Sequence, residues 1–168
     1  MHIKEYPMRK ITSALTMTML LAVSLLAGCG SIPLASRQAD LQAKSSTARP
    51  DKARIYVYRD ETIGFAVPMT LALDGRAAGR TAGQTYLMWD VEPGAHAIAS
   101  YAEDTATLTL QTEPGKSYYV WQEVKIGFWK ARSRLHAVDE ITGRKAVVGC
   151  DLGELAEAPQ KTALRGAL

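Results

Sequence analysis

Cysteine is scarce in this chain, which has two, Cys29 and Cys150, among 168 residues. Two cysteines cannot form the set of disulfides that stabilises a small secreted domain in place of a large core. Cys150 lies close to Val147 and Val148, so we expect it to be buried. Nothing around it indicates a redox role, because a reactive thiol needs neighbours that lower its pKa strongly.

The chain also lacks an excess of charge of one sign. It contains 20 basic and 17 acidic residues, and without residues 1–28, which are set apart below, 17 basic residues face 16 acidic ones. A protein that neutralises the phosphates of a nucleic acid carries a clear basic excess. We therefore expect no nucleic-acid partner.

Motifs for catalysis and for cofactor binding are missing as well. Beyond residue 28 the histidines are His96 and His136, and neither has a metal-ligating residue at a usual spacing. No serine lies in a Gly-x-Ser-x-Gly elbow, and Gly75, Gly79 and Gly83 are too scattered to hold a phosphate. We expect no enzyme activity, no metal and no cofactor, since a hydrolase would need a converging nucleophile, base and oxyanion donors.

What the sequence does have begins with a signal at its N-terminus. Basic residues precede a largely apolar stretch, Ile11–Leu26, which is shorter than the roughly 20 apolar residues that span a bilayer. The end of this stretch resembles the lipobox of bacterial lipoproteins, with matching residues Leu26, Ala27, Gly28 and Cys29. The resemblance implies cleavage before Cys29 and acylation of its sulfur and of the new amino terminus. Several acyl chains hold a protein firmly to a membrane.

The residue after the lipidation cysteine bears on which membrane holds the protein. In enteric bacteria an Asp at that position favours retention in the inner membrane, whereas this chain has Gly30. We therefore expect anchoring in the outer membrane, facing the periplasm, with the inner membrane as the less favoured alternative.

Composition divides the remaining 140 residues into three parts. Residues 29–52 mix Ser, Gln and Pro with isolated leucines, which predicts a lipidated cysteine on a flexible tether, with a partly helical stretch around Ala35–Lys44 as the alternative. Residues 53–152 form the predicted domain, and their number is enough for one hydrophobic core. Residues 153–168 show no sustained apolar pattern and predict a mobile tail.

Residues 53–138 alternate with period two, as half-buried strands do. Turn residues separate the strands: Asp74-Gly75 is a tight-turn signal, and the Glu-Pro-Gly runs at 92–94 and 113–115 suit type II turns. About seven short strands predict an all-β, antiparallel β-sandwich. Residues Asp139–Cys150 fit either a short helix capped at Asp139 or a hairpin that turns at Thr142-Gly143, and the helix is slightly favoured.

The order of these turns resembles a family of bacterial lipoproteins catalogued as a domain of unknown function, DUF2846. The runs that carry the resemblance are Val91–His96 and Thr112–Val120, together with a first strand at Ala53–Arg59. The likeness covers roughly Ala53–Asp151. Members of the family look like PEGA-type β-sandwiches, so the resemblance implies a small sandwich on a lipid anchor with no established activity and no catalytic residue to carry across.

Aromatic residues are the best indication of a binding surface. They concentrate late in the domain, at Trp89, Tyr118, Tyr119, Trp121, Phe128 and Trp129. Large aromatics usually fill a core. The alternative is an exposed face formed by Tyr119, Trp121, Phe128 and Trp129 beside Lys125, Lys130 and Arg132, since exposed aromatics flanked by basic residues suit a protein or glycan partner.

These features together predict a membrane-anchored lipoprotein of the cell envelope. Its partners would be the membrane, through the N-terminal lipid, and another envelope protein bound without catalysis. A glycan-binding module for peptidoglycan or surface polysaccharide is the alternative function, in which Tyr or Trp rings would stack on sugars.

Overall fold

The computed structural model of the chain describes residues 32–62, 67–126 and 131–156. These ranges contain two helices and nine strands: α1 (Arg37–Ser45), β1 (Ala53–Arg59), β2 (Met69–Leu73), β3 (Arg76–Thr81), β4 (Thr85–Val91), β5 (Gly94–Tyr101), β6 (Thr105–Thr112), β7 (Ser117–Ile126), β8 (Ala131–Val138), α2 (Glu140–Val148) and β9 (Asp151–Leu152). Within them, neither helix has the length and apolar character needed to pass through a bilayer.

The strands form two sheets, with the orders β8-β7-β1-β4-β9 and β3-β2-β5-β6. The expected all-β sandwich with a short C-terminal helix is confirmed. One detail differs from an antiparallel sandwich, because β7 pairs with β1 and β9 pairs with β4 in parallel. Parallel neighbours need a long crossover, and here β2–β6 lie between β1 and β7 in the sequence.

The main core lies between the two sheets. Strands β1, β4 and β7 supply it from the five-stranded sheet, and β2, β5 and β6 supply it from the other. Its buried members are Ala53, Ile55, Val57, Leu71, Leu87, Trp89, Val91, Ile98, Leu110 and Val120. Trp89 is thus a core residue, as large aromatics usually are.

A second apolar layer covers the outer face of the five-stranded sheet. It consists of tyrosines from β1, β4 and β7 together with residues of the two helices and Cys150: Ala43, Tyr56, Tyr58, Tyr86, Tyr119, Val147 and Cys150. All seven residues of β1 are therefore buried. The expectation of a half-buried first strand is wrong. The residues that alternate with the apolar ones include Tyr56 and Tyr58, and these tyrosines are buried under the helices on the outer face.

Helix α1 corrects the expected tether over Arg37–Ser45. Ser36 caps the helix by accepting a hydrogen bond from the Ala39 amide, which satisfies one of the free N–H groups of the first turn. Ala43 is 3% exposed, and the Tyr56 hydroxyl donates to its carbonyl oxygen at 2.9 Å. The segment is ordered by the sheet it covers, which its own composition does not reveal.

Helix α2 occupies the stretch that was ambiguous between helix and hairpin. Asp139 caps it by accepting from the Thr142 amide at 2.9 Å. Gly143 faces the sheet, and the helix approaches so closely that a Cβ atom at this position would overlap the Cβ of Tyr119. The glycine that suggested a hairpin turn is therefore a contact point between helix and sheet.

The expected mobile tail does not include residues 153–156. Gly153 is buried and bridges Leu34, while Leu155 bridges Gly79 on β3. The Ala156 amide also donates to the Ala78 carbonyl at 3.1 Å. Residues 153–156 are thus fixed by backbone pairing, and residues 157–168 lie outside the described ranges.

Replacing Gly143 with Ala is expected to lower the free energy of unfolding by about 1 to 3 kcal/mol, because the added methyl group must displace α2 from Tyr119. Urea titration measures this change. Gly149→Ala is the matched control, since Gly149 has φ −85° and a Cβ there would meet Ala146 O at an ordinary 3.6 Å. Equal unfolding midpoints for the two variants would contradict the close packing of α2.

Candidate functional site

The residues of the lipobox, Leu26, Ala27, Gly28 and Cys29, lie outside the described residues. The described chain starts at Ile32, which is 7% exposed. Ala35 donates its amide to the Leu152 carbonyl at 2.8 Å, so the chain is already paired three residues after Ile32. Within the tether expected over residues 29–52, the described chain from Ile32 to Ser45 is therefore held by backbone pairing and by helix α1.

The structure removes Tyr119 from the predicted aromatic face. Tyr119 is 4% exposed, and its ring stacks on that of Tyr56 with centroids 4.8 Å apart and planes 3° apart. Helix α2 covers it at Gly143. Phe128 and Trp129, the other two residues predicted at the loop tip, lie outside the described residues.

Trp121 lies on the outer face of the hairpin formed by β7 and β8. It is partly buried and sits directly opposite His136 in the pairing, with ring centroids 5.2 Å apart. Residues directly opposite each other share a face of the sheet. The pairs Glu123–Arg134 and Lys125–Arg132 follow on this face, and we call these six residues the hairpin platform.

The hairpin platform is cationic with one carboxylate at its centre. Glu123 bonds Lys125 and also lies 2.9 Å from Nε2 of His136. The hydrogen bond from Lys125 contributes most to lowering the pKa of Glu123, and the bond from His136 adds to it against the effect of burial. Lys125, Arg132 and Arg134 are exposed, and Arg132 also forms ion pairs with Glu103 at 3.7 Å and Asp104 at 4.0 Å. The platform therefore presents basic groups, partly paired with carboxylates, around one aromatic pair.

A buried polar network lies inside the sandwich at Gln122 of β7, next to Trp121 of the hairpin platform. The Gln122 side chain is fully buried; its Oε1 accepts from the Thr81 hydroxyl at 2.5 Å and its Nε2 donates to Ser100 Oγ at 2.7 Å. Ser133 donates to Ser100 at 2.6 Å. The sequence analysis missed this network. A signal was present, because Gln122 lies between Val120 and Val124 on the inward face of β7, and a polar residue at an inward position indicates a buried hydrogen-bond network.

Arg59 and Glu61 add charge to this end of the sandwich. Arg59 is fully buried and donates to the Val67 carbonyl at 2.8 Å, and burial lowers the pKa of its guanidinium. Glu61 accepts from the Val124 amide at 3.1 Å, and burial raises the pKa of its carboxyl group. These interactions satisfy the polar interior only in part, because Oε2 of Glu61 is buried without a hydrogen-bond partner among the described residues, and a buried polar group without a partner costs free energy.

Among the described residues, the hydrogen bonds of this polar network bring no nucleophile into contact with a base that a third group orients, as nucleophilic catalysis needs. Ser100 accepts hydrogen bonds from the Ser133 hydroxyl and from the Gln122 amide, and neither group removes a proton readily. In the part of the chain that the structure describes, no three His, Cys, Asp or Glu side chains are grouped to hold a metal ion.

His96 joins two turns at the other end of the sandwich. Its Nδ1 lies 2.7 Å from Asp74 Oδ2 and its Nε2 lies 2.7 Å from the Glu92 carbonyl oxygen. Burial lowers the pKa of His96, but the hydrogen bonds to Glu92 and Asp74 outweigh burial and leave that pKa raised. The protonated ring can donate from both nitrogens, so the arrangement is a structural clamp between the β2–β3 turn and β5.

We expect His96→Gln to destabilise the protein more near pH 5.5 than near pH 8.5, by about 0.5 to 1 kcal/mol as for a partly exposed ion pair. The pKa of His96 is higher in the folded protein than its ordinary value of 6.5. The stabilisation by protonated His96 is therefore complete below pH 6.5 and is lost as the pH rises through the pKa of the folded state. Asp74 stays ionised throughout this window, because its pKa is lowered.

Urea titrations of wild type and His96→Gln at both pH values measure the difference. Asp74→Asn is the control background, and Asn tolerates the positive φ of 50° at this position. The pH dependence of the His96→Gln effect should shrink in that background. A wild-type effect that is the same at both pH values would contradict the clamp.

Cys150 is buried, as expected from its neighbours. It is 2% exposed and its Sγ lies 3.6 Å from the Arg59 carbonyl oxygen. Burial, with a contribution from the charge of Asp60, raises the pKa of its thiol to about 12. A thiol in this state is a core group that reacts slowly, because the thiolate is the nucleophile.

In a Cys29→Ser chain, Cys150 is therefore expected to resist a thiol reagent such as dithionitrobenzoate while the domain is folded. The same thiol should react fully once urea unfolds the chain, because exposure restores its ordinary pKa. Absorbance of the released thionitrobenzoate measures both rates. Fast, complete labelling in native buffer would show that Cys150 is accessible.

Comparisons with known proteins identify a family, and the descriptions of the matching proteins name no activity. A family model described as a protein of unknown function (DUF2846) matches residues 49–133, from the turn before β1 into β8. A protein of Haemophilus influenzae described as uncharacterized is 32% identical over 126 residues, which are 73% of this chain and 74% of that protein. No solved structure matches the chain.

Proposed function

Because the chain belongs to the DUF2846 family of proteins of unknown function, we propose its role from its own residues. It is a lipoprotein of the cell envelope, anchored by acyl chains on Cys29, whose domain binds another envelope protein without catalysis. The hairpin platform is the binding surface. The PEGA-type architecture implied by the sequence resemblance stays a prediction.

The anchor is supported by the order of the N-terminal features. A basic start, a short apolar stretch and the sequence Leu26-Ala27-Gly28-Cys29 follow each other as in a lipoprotein signal. With Gly30 after the cysteine, outer-membrane anchoring facing the periplasm is the proposed location. The packed chain from Ile32 onward agrees with a mature protein that starts at Cys29.

The binding surface rests on one observation: the outer face of β7–β8 carries the Trp121–His136 pair next to three exposed basic side chains, Lys125, Arg132 and Arg134. Tyr119 on the same strand is covered by α2. The hairpin platform therefore presents groups that are enriched where proteins bind each other, namely Trp and Arg. Its charge suits a partner with an acidic surface.

A protein partner fits this surface better than a glycan. Sugar rings stack on an open aromatic face, whereas Trp121 is partly buried and has His136 against its ring. The charged side chains of Glu123, Lys125 and Arg134 can instead form ion pairs with opposite charges on a protein surface. Binding to peptidoglycan or surface polysaccharide remains the alternative, and the experiments below distinguish the two.

Intact-mass spectrometry of the protein extracted from membranes tests the anchor. The expected polypeptide begins at Cys29 and carries the added mass of a diacylglyceryl group and a third acyl chain. Cys29→Ser is the control, and it should lose both modifications and the cleavage that depends on them. An unmodified full-length chain from wild-type cells would overturn the anchor.

Site-specific photocrosslinking tests the hairpin platform. A benzoylphenylalanine at Arg134 should give a discrete protein adduct in cells, because this exposed position lies on the platform. The matched control is Thr109, which is exposed on β6 of the other sheet and should give none. Lys125→Glu in the Arg134-labelled chain should reduce the adduct several-fold by reversing a charge next to Glu123.

Two results would contradict the binding of a protein at the hairpin platform. Equal adducts at Arg134 and Thr109, or no effect of Lys125→Glu, would remove the hairpin platform as the binding surface. Retention of the purified domain on isolated cell walls, lost in the Lys125→Glu variant and without a protein adduct, would favour the glycan alternative.

A further inference from the structure

We infer that one edge of the domain rests on the membrane surface, with Leu34, Leu41 and Leu155 against the lipid headgroups. We call the surface formed by these three leucines and Arg37 the anchor edge. The inference rests on the lipid anchor proposed above and adds the orientation of the domain on its membrane.

The length of free chain limits how far the domain can move from its anchor. Ile32 is 7% exposed, the Glu154 amide donates to the Pro33 carbonyl at 3.0 Å, and the Ala35 amide donates to Leu152. From Cys29 to Ile32 there are three residue steps, which reach about 11 Å even when fully extended. A headgroup layer is itself about 5 to 7 Å thick, so the surface around Ile32 stays at the membrane.

Exposed leucines lie close to this point. Of the seven large apolar side chains exposed among the described residues, three lie here: Leu34 is 48% exposed, Leu41 57% and Leu155 47%. Leu34 and Leu41 line one groove together with Arg37, Asp40, Asp151 and Leu152. Exposed leucines near a membrane insert at the boundary between headgroups and acyl chains.

The charges of the anchor edge do not oppose this contact. Asp40, the acidic residue of α1, turns inward and accepts from the Tyr86 hydroxyl at 2.9 Å and from Lys44 at 2.8 Å. Around the edge, exposed Arg37 and Arg80 offset exposed Asp151 and Glu154. An edge whose charges balance and whose leucines are exposed suits zwitterionic phospholipid, and burial of leucine rather than charge attraction holds it there.

This orientation leaves the hairpin platform accessible. The anchor edge lies beside β9, at one end of the order β8-β7-β1-β4-β9, and the platform lies on β7–β8 at the other. Three strand spacings, about 14 Å in all, separate β7 from β9. The anchor edge can therefore touch lipid while the platform meets a partner.

Spin-label accessibility tests the orientation. The lipidated mature protein, in a Cys150→Ala background, carries a nitroxide at Leu41→Cys or at the control position Thr107→Cys, which is exposed on β6 of the other sheet. The protein is reconstituted into phosphatidylcholine vesicles. We expect the label at 41 to collide several-fold less with a water-soluble nickel chelate, and more with oxygen, than the label at 107.

Flotation of the same samples separates the two proposals. If the protein floats with the vesicles but nickel reaches both labels equally, the orientation is overturned and the anchor stands. If the protein does not float, the anchor fails and the orientation fails with it. Dipolar broadening between labels at 41 would assign the anchor edge to a second copy of the chain and would also overturn membrane contact.

Discussion

The five-stranded sheet must be covered on both faces, and the rest of the structure depends on this constraint. One face of β1 carries Ala53, Ile55 and Val57 into the core between the sheets, while the other carries tyrosines that stack and pack under the helices. Exposing that second face would place several large aromatic surfaces in water. Helices α1 and α2 supply the cover, so the molecule has three layers rather than the two of a simple sandwich.

Local patterns were enough to predict the strands, and they predicted the two covering helices less clearly. Turn residues set the strand ends, as at Asp74 and Gly75, whose φ values of 50° and 76° favour Asn, Asp or Gly. Helix α1 was predicted only as the alternative to a flexible tether, because its apolar content is low and it is stabilised by tyrosines from distant strands. The parallel pairing of β1 with β7 is likewise a long-range choice that no local periodicity encodes.

The candidate site was predicted in part for the same reason. Alternation places Tyr119 and Trp121 on one face of β7, but whether each is exposed depends on how far α2 extends over the sheet. Gly143 lets that helix press on Tyr119, and Trp121 remains only partly buried. The polar interior around Gln122 was missed because an inward glutamine contradicts the binary pattern, and such exceptions mark places where a network replaces apolar packing.

The pairing of Leu34 with Gly153 also governs the order in which the molecule can form. These residues come from opposite ends of the domain, and closing a contact across so much chain is entropically slow compared with forming a hairpin. Leu34 and Ala35 have no backbone partners until Gly153 and Leu152 are in place beside β4. The first described segment therefore completes its pairing only after the C-terminal end of the domain has folded.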